Sequence, residues 1–314
     1  MTFSPFNTPY FRTATLKSSF ITPAAATTSA TRYRSLRFIT IMATSFSPTA
    51  TAEKATTFKS LHRNIAGGGK PLLLANVYDA TSARVVASLP GCAALATASF
   101  ALAQSIGKTD ETLTLDENLS LARPIAAVAN EFNLPLTVDI QDGYAPRGDK
   151  QALVDVTAGL VKGLGAVGVN LEDSWHETCE MMDEEYAVER ISIMLSAAAD
   201  LGVSDFVVNA RSDTFLMGGS LDESIRRGKK YLEAGAETVF IFWPRGEAMK
   251  REDVQRVIDE LDGRVNISCR LGQKGGLTTA DLAAMGAARV SVGPQLYLAV
   301  AETLKKAAGA VFAV

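Results

Sequence analysis

The chain has 314 residues, a net charge of −3, 47% hydrophobic and 21% charged residues, which is typical of a globular protein with a full core. No run of eighteen apolar residues occurs, so the sequence predicts no membrane-spanning helix. The three widely spaced cysteines, Cys92, Cys179 and Cys269, favour neither a disulfide framework nor a zinc site.

Residues 1–52 differ in composition from the rest of the chain. They contain no Asp or Glu, are rich in Ser, Thr and Ala, and carry five basic residues. The remainder has 26 Lys and Arg against 34 Asp and Glu, a charge of −8 that argues against a nucleic-acid partner. We expect a mitochondrial transit peptide over 1–52, or else a disordered tail, followed by one catalytic domain over 53–314. Met42 opens "MATSFSP" and could start a cytoplasmic form.

From residue 70 onward, short apolar runs alternate with longer helical patterns. Nearly continuous apolar runs are expected of parallel strands that are buried on both faces. The eight candidate strands cover 71–77, 92–99, 134–140, 166–172, 205–211, 238–243, 264–269 and 288–293. Pro124 predicts a kink or a late start in the helix before the third strand. Eight strands alternating with helices predict an α/β fold, the (β/α)8 TIM barrel. An open doubly wound sheet is the alternative, but no G-x-G-x-x-G follows the first strand.

Polar side chains accumulate where these strands end, which is the face on which a barrel carries its chemistry. Any single one could instead cap a helix or solubilise a loop, but six strands end in this way. The residues are Tyr78, Asp79, Ser99, Asp139, Gln141, Glu172, Asp173, Arg211, Asp213, Asn266 and Arg270.

The stretch "TVDIQDGY" and the strand after it suggest a metal site. Strand alternation predicts that Asp139 and Gln141 point to one side and Asp142 to the other. Asp139 and Glu172 could place two carboxylates over the barrel mouth, where hard oxygen ligands suit Mg²⁺. Arg211 could bind a substrate carboxylate or phosphonate, so that metal and arginine together stabilise an enolate. The alternative is a structural ion pair between Glu172 and Arg211.

Seven stretches between about Leu72 and Gly293 resemble the isocitrate lyase/phosphoenolpyruvate mutase superfamily, most closely its short carboxyphosphonoenolpyruvate mutase-like branch. They lie in the family's order: "NVYDATSARV", "TASFALAQSIGKTD", "VDIQDGY", "GAVGVNLEDS", "FVVNARSDTFL", "YLEAGAETVFI" and "ARVSVGPQL". The resemblance implies a (β/α)8 barrel that uses Mg²⁺, or Mn²⁺ in its place, and forms an enolate of an α-keto acid. It also implies a homo-oligomer, a dimer or tetramer, whose subunits exchange a C-terminal helix.

The resemblance also implies roles for single residues. Asp139 would bind the metal directly, while Asp110, Gln141 and Glu172 would hold metal-bound waters. The backbone amides of Ser99 and Phe100 would bind a carboxylate or phosphonate, and Arg211 would clamp the substrate. Tyr78 and Asp79 would line the floor of the site, with Tyr78 a candidate catalytic group and Asp79 a substrate contact. Asn266 is a further candidate substrate contact, from its place near the end of a strand.

Two departures from the family pattern affect the expected chemistry. Gln141 stands where the family usually has an acid, so one negative charge near the metal is missing. The lyase branch carries a Lys-Lys/Arg-Cys-Gly-His loop, whereas this loop reads "SWHETCEMMD". Carboxylates of Glu177 and Glu180 beside Cys179 oppose thiolate formation, so we interpret this cysteine as a bystander. His176 is then the candidate for proton transfer, the alternative being a solvent-exposed loop histidine.

Three functions follow as hypotheses. The first is a Mg²⁺-dependent lyase, decarboxylase or hydrolase that cleaves a C–C bond of a small α-keto or 2-hydroxy di- or tricarboxylate. The second is P–C bond chemistry on a phosphonopyruvate-like substrate, which Phe242 disfavours because mutases have a histidine there. The third is a barrel that binds a carboxylate without turnover.

Overall fold

The computed structural model describes residues 46–63, 69–243, 249–273 and 275–313, so most of the predicted N-terminal extension lies outside the described residues. Within these ranges the helices are α1 Pro48–Leu61, α2 Ala80–Ala87, α3 Ser99–Ser105, α4 Leu115–Glu131, α5 Lys150–Leu164, α6 Glu184–Asp200, α7 Leu221–Glu233, α8 Arg251–Glu260, α9 Thr279–Met285 and α10 Gln295–Phe312. The strands are β1 Leu72–Leu74, β2 Leu95–Ala96, β3 Leu136–Asp139, β4 Gly168–Glu172, β5 Ser174–Trp175, β6 Glu180–Met181, β7 Val207–Ser212, β8 Thr238–Ile241, β9 Asn266–Ser268 and β10 Arg289–Ser291.

Eight of these strands run parallel and form a closed ring. One run of hydrogen-bonded neighbours is β2-β3-β4-β7-β8 and the other is β1-β10-β9. Two single parallel bridges join the runs, Val77 with Thr97 and Val239 with Val265. The ring and the helices between its strands form the predicted (β/α)8 barrel, and each of the eight predicted strands is present.

Local sequence signals determine where the barrel helices begin and end. α4 begins with a capping box in which Thr114 and Glu117 bond to each other's backbone amides. α5 ends at Gly165, which adopts the left-handed conformation that glycine reaches most easily. The predicted late start at Pro124 is wrong, because α4 is well capped upstream and runs through Pro124.

Helix α1 closes the amino end of the barrel. Phe58 is fully buried, and its ring approaches Gly168, the first residue of β4, so closely that a Cβ there would lie 3.0 Å from the ring. His62 caps the C-terminal end of this helix and is also buried. α1 begins at Pro48, five residues before the predicted domain boundary at residue 53, and the boundary itself stays a prediction.

Two elements stand apart from the ring. β5 and β6 pair antiparallel in a short hairpin directly after β4, a feature that the sequence did not predict. The C-terminal helix α10 has no buried residue and exposes several apolar side chains, among them Leu304, Val311 and Phe312. None of the described helices is long and apolar enough to cross a membrane.

Candidate active site at the carboxyl ends of the strands

Asp139, the last residue of β3, is held by two hydrogen bonds to its carboxylate. The amide N–H of Ser99 donates to Oδ2 at 2.9 Å, and the Asn170 side-chain amide donates to Oδ1 at 3.0 Å. Asn170 is the register partner of Asp139 on β4, so the barrel itself sets this second contact. The carboxylate is therefore fixed in orientation at the barrel mouth.

Asp110 and Gln141 lie on the same side as Asp139. The Gln141 side chain donates from Nε2 to Asp110 Oδ1 at 2.6 Å, and the Ser99 hydroxyl also bonds to Asp110. Burial and the negative charge of Asp139 raise the pKa of Asp110. Ser99 bonds to both carboxylates, to Asp139 through its amide and to Asp110 through its hydroxyl, so the two carboxylates lie beside the same residue.

The predicted strand alternation does not extend to Gln141, although its side chain does reach the site. β3 ends at Asp139, and Gln141 has a φ of 51°, a left-handed conformation that is strained for a residue with a side chain. Asp142 accepts hydrogen bonds from the amides of Tyr144 and His176, so it is engaged elsewhere and does not take the place of Gln141.

A second cluster lies at the ends of β4 and β7, the next two strands of the ring after β3. Glu172, at the end of β4, contacts His176 Nε2 through Oε2 at 2.6 Å and Arg211 Nη1 through Oε1 at 2.7 Å. Arg211 donates from Nε to Asp213 at 2.6 Å, and the ring of Phe242 lies 4.1 Å from its guanidinium. The ion pair that the sequence left as an alternative is thus present.

The charges of this second cluster depend strongly on each other. Burial raises the pKa of Glu172, although the positive charges of Arg211 and His176 oppose the shift. Burial alone would lower the pKa of His176, but the charge and hydrogen bond of Glu172, with Asp142 and Asp110 nearby, raise it to about 9. His176 is therefore an imidazolium at neutral pH, and with a side chain 12% exposed it is not the solvent-exposed loop histidine of the alternative interpretation.

Arg190 of α6 joins the backbone behind the two clusters. It is 1% exposed and donates to the carbonyl of Glu172 at 2.9 Å and to the carbonyl of Asp142. Gly143 makes this possible, since a Cβ there would lie 3.0 Å from the arginine. One buried side chain therefore holds together the turn after β3 and the end of β4.

Two of three predicted contacts are placed differently from expectation. The Ser99 amide donates to Asp139, and the predicted cradle of the Ser99 and Phe100 amides for a substrate anion stays a prediction. Asp79 is exposed and caps α2 by accepting from the Ser82 amide at 2.6 Å, so it does not line the floor. Asn266 is the first residue of β9, is 1% exposed and bonds to Ser291, which places it inside the barrel and not at the mouth.

Two further predictions concern residues near the rim. The Tyr78 ring packs edge-on against Tyr297 of α10 at 5.1 Å, and burial raises its pKa, so the phenol is neutral. Its catalytic role stays a prediction. Cys179 is exposed at the turn of the β5–β6 hairpin. Its sulfur lies 4.0 Å from the backbone carbonyl oxygen of His176.

Sequence reasoning missed several residues that the structure brings to the site. Asn170 and Asn209 each stand two positions before a predicted site residue, Glu172 and Arg211, and therefore on the same strand face. A polar residue in an otherwise apolar strand was the signal that could have found them. The hairpin contact between His176 and Glu172 had no comparable signal.

The first cluster fits a divalent cation in its donor chemistry. Among the described residues there is no group of three or more His, Cys, Asp or Glu side chains arranged to hold a metal. Mg²⁺, however, usually takes only one or two carboxylates and keeps several waters. Asp139 and Asp110 supply such a pair, whereas Glu172 is engaged by Arg211 and His176.

A (β/α)8 barrel that gathers carboxylates, a histidine and an arginine at the carboxyl ends of its strands has the organisation of a barrel enzyme. The chain belongs to the phosphoenolpyruvate mutase family of the isocitrate lyase/phosphoenolpyruvate mutase superfamily, because the family model described as phosphoenolpyruvate phosphomutase matches residues 58–312. The superfamily includes both lyases and phosphonomutases.

Three proteins that are similar to this chain follow as examples. An uncharacterized protein of Mycobacterium tuberculosis is 32% identical over 248 residues, 77% of this chain and 83% of its own length. The 2,3-dimethylmalate lyase of Eubacterium barkeri is 28% identical over 206 residues, 64% of this chain and 67% of the lyase. The solved structure of a Burkholderia cenocepacia protein, provisionally named a phosphonomutase, is 33% identical with a TM-score of 0.71, covering 82% of this chain and 97% of that one.

Proposed function

We propose that the chain is a Mg²⁺-dependent lyase, decarboxylase or hydrolase that cleaves a C–C bond of a small α-keto or 2-hydroxy di- or tricarboxylate. The observation that carries the proposal is the adjacency of an oriented carboxylate pair, Asp139 and Asp110, to the cluster of Glu172, His176 and Arg211. Bound Mg²⁺ would act as a Lewis acid toward a substrate oxygen. Named lyases among similar proteins support the C–C assignment.

Arg211 is suited to bind the substrate's carboxylate. Burial disfavours its positive charge, but Asp213, Glu172 and Asp139 outweigh that effect and keep its pKa above the ordinary value. Phe242 covers one face of the guanidinium, and Nε and Nη1 already donate to Asp213 and Glu172. A substrate carboxylate would therefore meet the remaining edge of the group, which carries Nη2. An apolar ring at this position also disfavours the additional oxygen of a phosphonate, which needs polar partners.

His176 supplies the proton that the leaving carbon must gain. Cleavage beside a keto group leaves an enolate, and a general acid that is protonated at neutral pH completes the reaction. His176 meets that requirement because its pKa is raised to about 9. Oxaloacetate decarboxylation is the simplest case, since loss of CO₂ yields the enolate directly and demands only modest acid assistance.

A substrate panel tests the reaction class. The full chain is incubated with oxaloacetate, 2-methylisocitrate, alkylmalates or phosphonopyruvate, in Mg²⁺ or in EDTA, and pyruvate, oxalate, phosphoenolpyruvate and inorganic phosphate are measured. Protein-free blanks correct for the decarboxylation of oxaloacetate by Mg²⁺ alone. We expect Mg²⁺-dependent pyruvate without phosphate, and oxalate from oxaloacetate would identify the hydrolase within the same proposal. Phosphoenolpyruvate, or pyruvate with equimolar phosphate, from phosphonopyruvate would assign P–C chemistry instead, and no turnover of any substrate would favour a carboxylate-binding barrel.

We also propose import into mitochondria through residues 1–52, with a cytoplasmic form that starts at Met42. The basic, acid-free composition supports the proposal. Residues 1–52 with Met42→Leu, which removes the internal start, are fused to a fluorescent protein. Mitochondrial fluorescence is expected, and fluorescence that stays diffuse in this fusion would contradict import.

A further inference from the structure

A chain of hydrogen bonds crosses the barrel interior and ends on Asp139. The Thr238 hydroxyl donates to Asn209 Oδ1 at 2.7 Å, and Asn209 Nδ2 donates to Asn170 Oδ1 at 2.7 Å. Asn170 Nδ2 then donates to Asp139 Oδ1 at 3.0 Å. The four residues are register neighbours on β8, β7, β4 and β3, so the strand pairing of the ring places them side by side.

The direction of this chain is fixed by its last acceptor. A carboxylate only accepts hydrogen bonds, so Asn170 must turn its nitrogen toward Asp139 and its oxygen toward Asn209. The Asn209 nitrogen then faces Asn170, which leaves the Asn209 oxygen to accept from the Thr238 hydroxyl. A flipped Asn170 amide would place its oxygen against the carboxylate, acceptor against acceptor, and its nitrogen against the nitrogen of buried Asn209.

We propose that Asn209 and Thr238 are positioning residues for the metal-binding carboxylate of Asp139, acting through Asn170. This inference rests on the proposed function, because it assumes that Asp139 binds Mg²⁺. Neither residue touches the site, and both are fully buried. Their effect is to hold one donor on Oδ1 of Asp139, so that the remaining lone pairs of the carboxylate keep one direction.

The barrel offers two matched controls. Thr137, on β3, is buried like Thr238, but its hydroxyl has no hydrogen-bond partner among the described residues. Thr137→Val and Thr238→Val are therefore the same isosteric change, and only the second breaks the chain. Asn266→Leu likewise matches Asn209→Leu, since Asn266 is a buried strand residue that bonds to Ser291 and not to the chain.

The test is Mn²⁺ affinity, measured by titration of the full-length protein and followed by electron paramagnetic resonance, with thermal unfolding recorded for every variant. Mn²⁺ takes the same hard oxygen ligands as Mg²⁺. We expect Kd to rise about tenfold in Asn209→Leu, the lower end of the range for outer-shell partners of metal ligands. The rise in Thr238→Val should be smaller, about threefold, because Thr238 lies one hydrogen bond further from Asp139. Asn266→Leu and Thr137→Val should bind Mn²⁺ as the wild type does, even where they lower the melting temperature.

The outcomes separate this inference from the proposed function. Equal Mn²⁺ affinity in the wild type, Asn209→Leu and Thr238→Val would overturn the positioning role and leave the metal site intact. Equal losses in the chain variants and their controls would also overturn it, because the effect would then be general destabilisation. A wild-type protein that binds no Mn²⁺ would overturn both proposals together.

Discussion

His176 and Cys179 lie three residues apart on one hairpin, but only the histidine side chain reaches the site. His176 contacts Glu172 at 2.6 Å, whereas Cys179 lies exposed at the turn. We therefore expect His176→Gln to lower kcat about a hundredfold, the usual loss when a general acid is removed. Cys179→Ala should leave kcat within about a factor of two. A hundredfold loss in the cysteine variant with little change in the histidine variant would reverse this assignment.

The pH dependence of the reaction follows from the same residue. The folded-state pKa of His176 is raised to about 9, so the imidazole keeps its proton at neutral pH and loses it as the pH rises through that value. We expect kcat to fall on the alkaline side near pH 9, measured in saturating substrate and Mg²⁺. His176→Gln should lack this limb, and an alkaline limb of unchanged position in the variant would assign it to another group.

For single residues, the sequence predicted which polar side chains lie at the carboxyl ends of the strands. Asp139, Glu172 and Arg211 could be placed because parallel strands bring their carboxyl ends to one face. The engagement of the Ser99 amide by Asp139 could not be predicted, because it depends on where the first turn of α3 lies relative to β3. The left-handed backbone of Gln141 was equally hidden, since strand alternation ends at Asp139.

At the scale of elements, buried Arg190 holds together the turn after β3 and the end of β4. Arg190→Met would leave the carbonyls of Glu172 and Asp142 without their buried donor. We expect a loss of about 2–4 kcal/mol in the free energy of unfolding, measured by urea denaturation. Arg226→Met is the matched control on α7, because Arg226 is an exposed partner of Glu184 and should matter little. Similar losses in the two variants would argue against the bracing role.

Helix α1 makes stability depend on pH through His62. Burial and the positive charge of Arg289 lower its pKa to about 3, against a value of about 6.5 in the unfolded chain. Between these values the unfolded chain binds a proton that the folded protein does not. The free energy of unfolding should therefore fall as the pH drops, by up to about 1.4 kcal/mol per pH unit from this group.

His62→Phe isolates the contribution of this histidine. The substitution keeps an aromatic ring packed edge-on against Phe58 but cannot take up a proton. We expect the stability of the variant to fall less steeply than that of the wild type between about pH 6 and pH 4. Parallel curves over that range would show that His62 does not titrate as its buried position implies.

The β5–β6 hairpin shows why some elements escaped prediction. Its two strands have two residues each, too short for an alternating pattern to be recognised. Its conformation depends on tertiary contacts, such as the amide of His176 donating to Asp142 and the Arg147 guanidinium lying 4.9 Å from the ring of Trp175. The barrel strands, by contrast, were predictable because burial on both faces leaves a continuous apolar run.

At the scale of the whole molecule, the C-terminal helix α10 buries none of its residues against the rest of the chain. It exposes Leu304, Val311 and Phe312 by 67%, 76% and 80%, more than an isolated surface helix usually does. We propose that a second copy of the chain covers this helix in the predicted homo-oligomer. Light scattering after gel filtration should show a dimer or tetramer that Leu304→Glu dissociates. A wild-type monomer at micromolar concentration would contradict the proposal.

The measurement that tests the central claim most directly is pyruvate release by the full chain and by Asp139→Ala, side by side, with Mg²⁺ and the substrate panel. The account predicts pyruvate without phosphate from at least one carboxylate substrate, reduced at least a thousandfold in Asp139→Ala and absent in EDTA. Pyruvate released at the wild-type rate by Asp139→Ala, or unaffected by EDTA, would show that the carboxylate at the end of β3 is not the centre of the reaction.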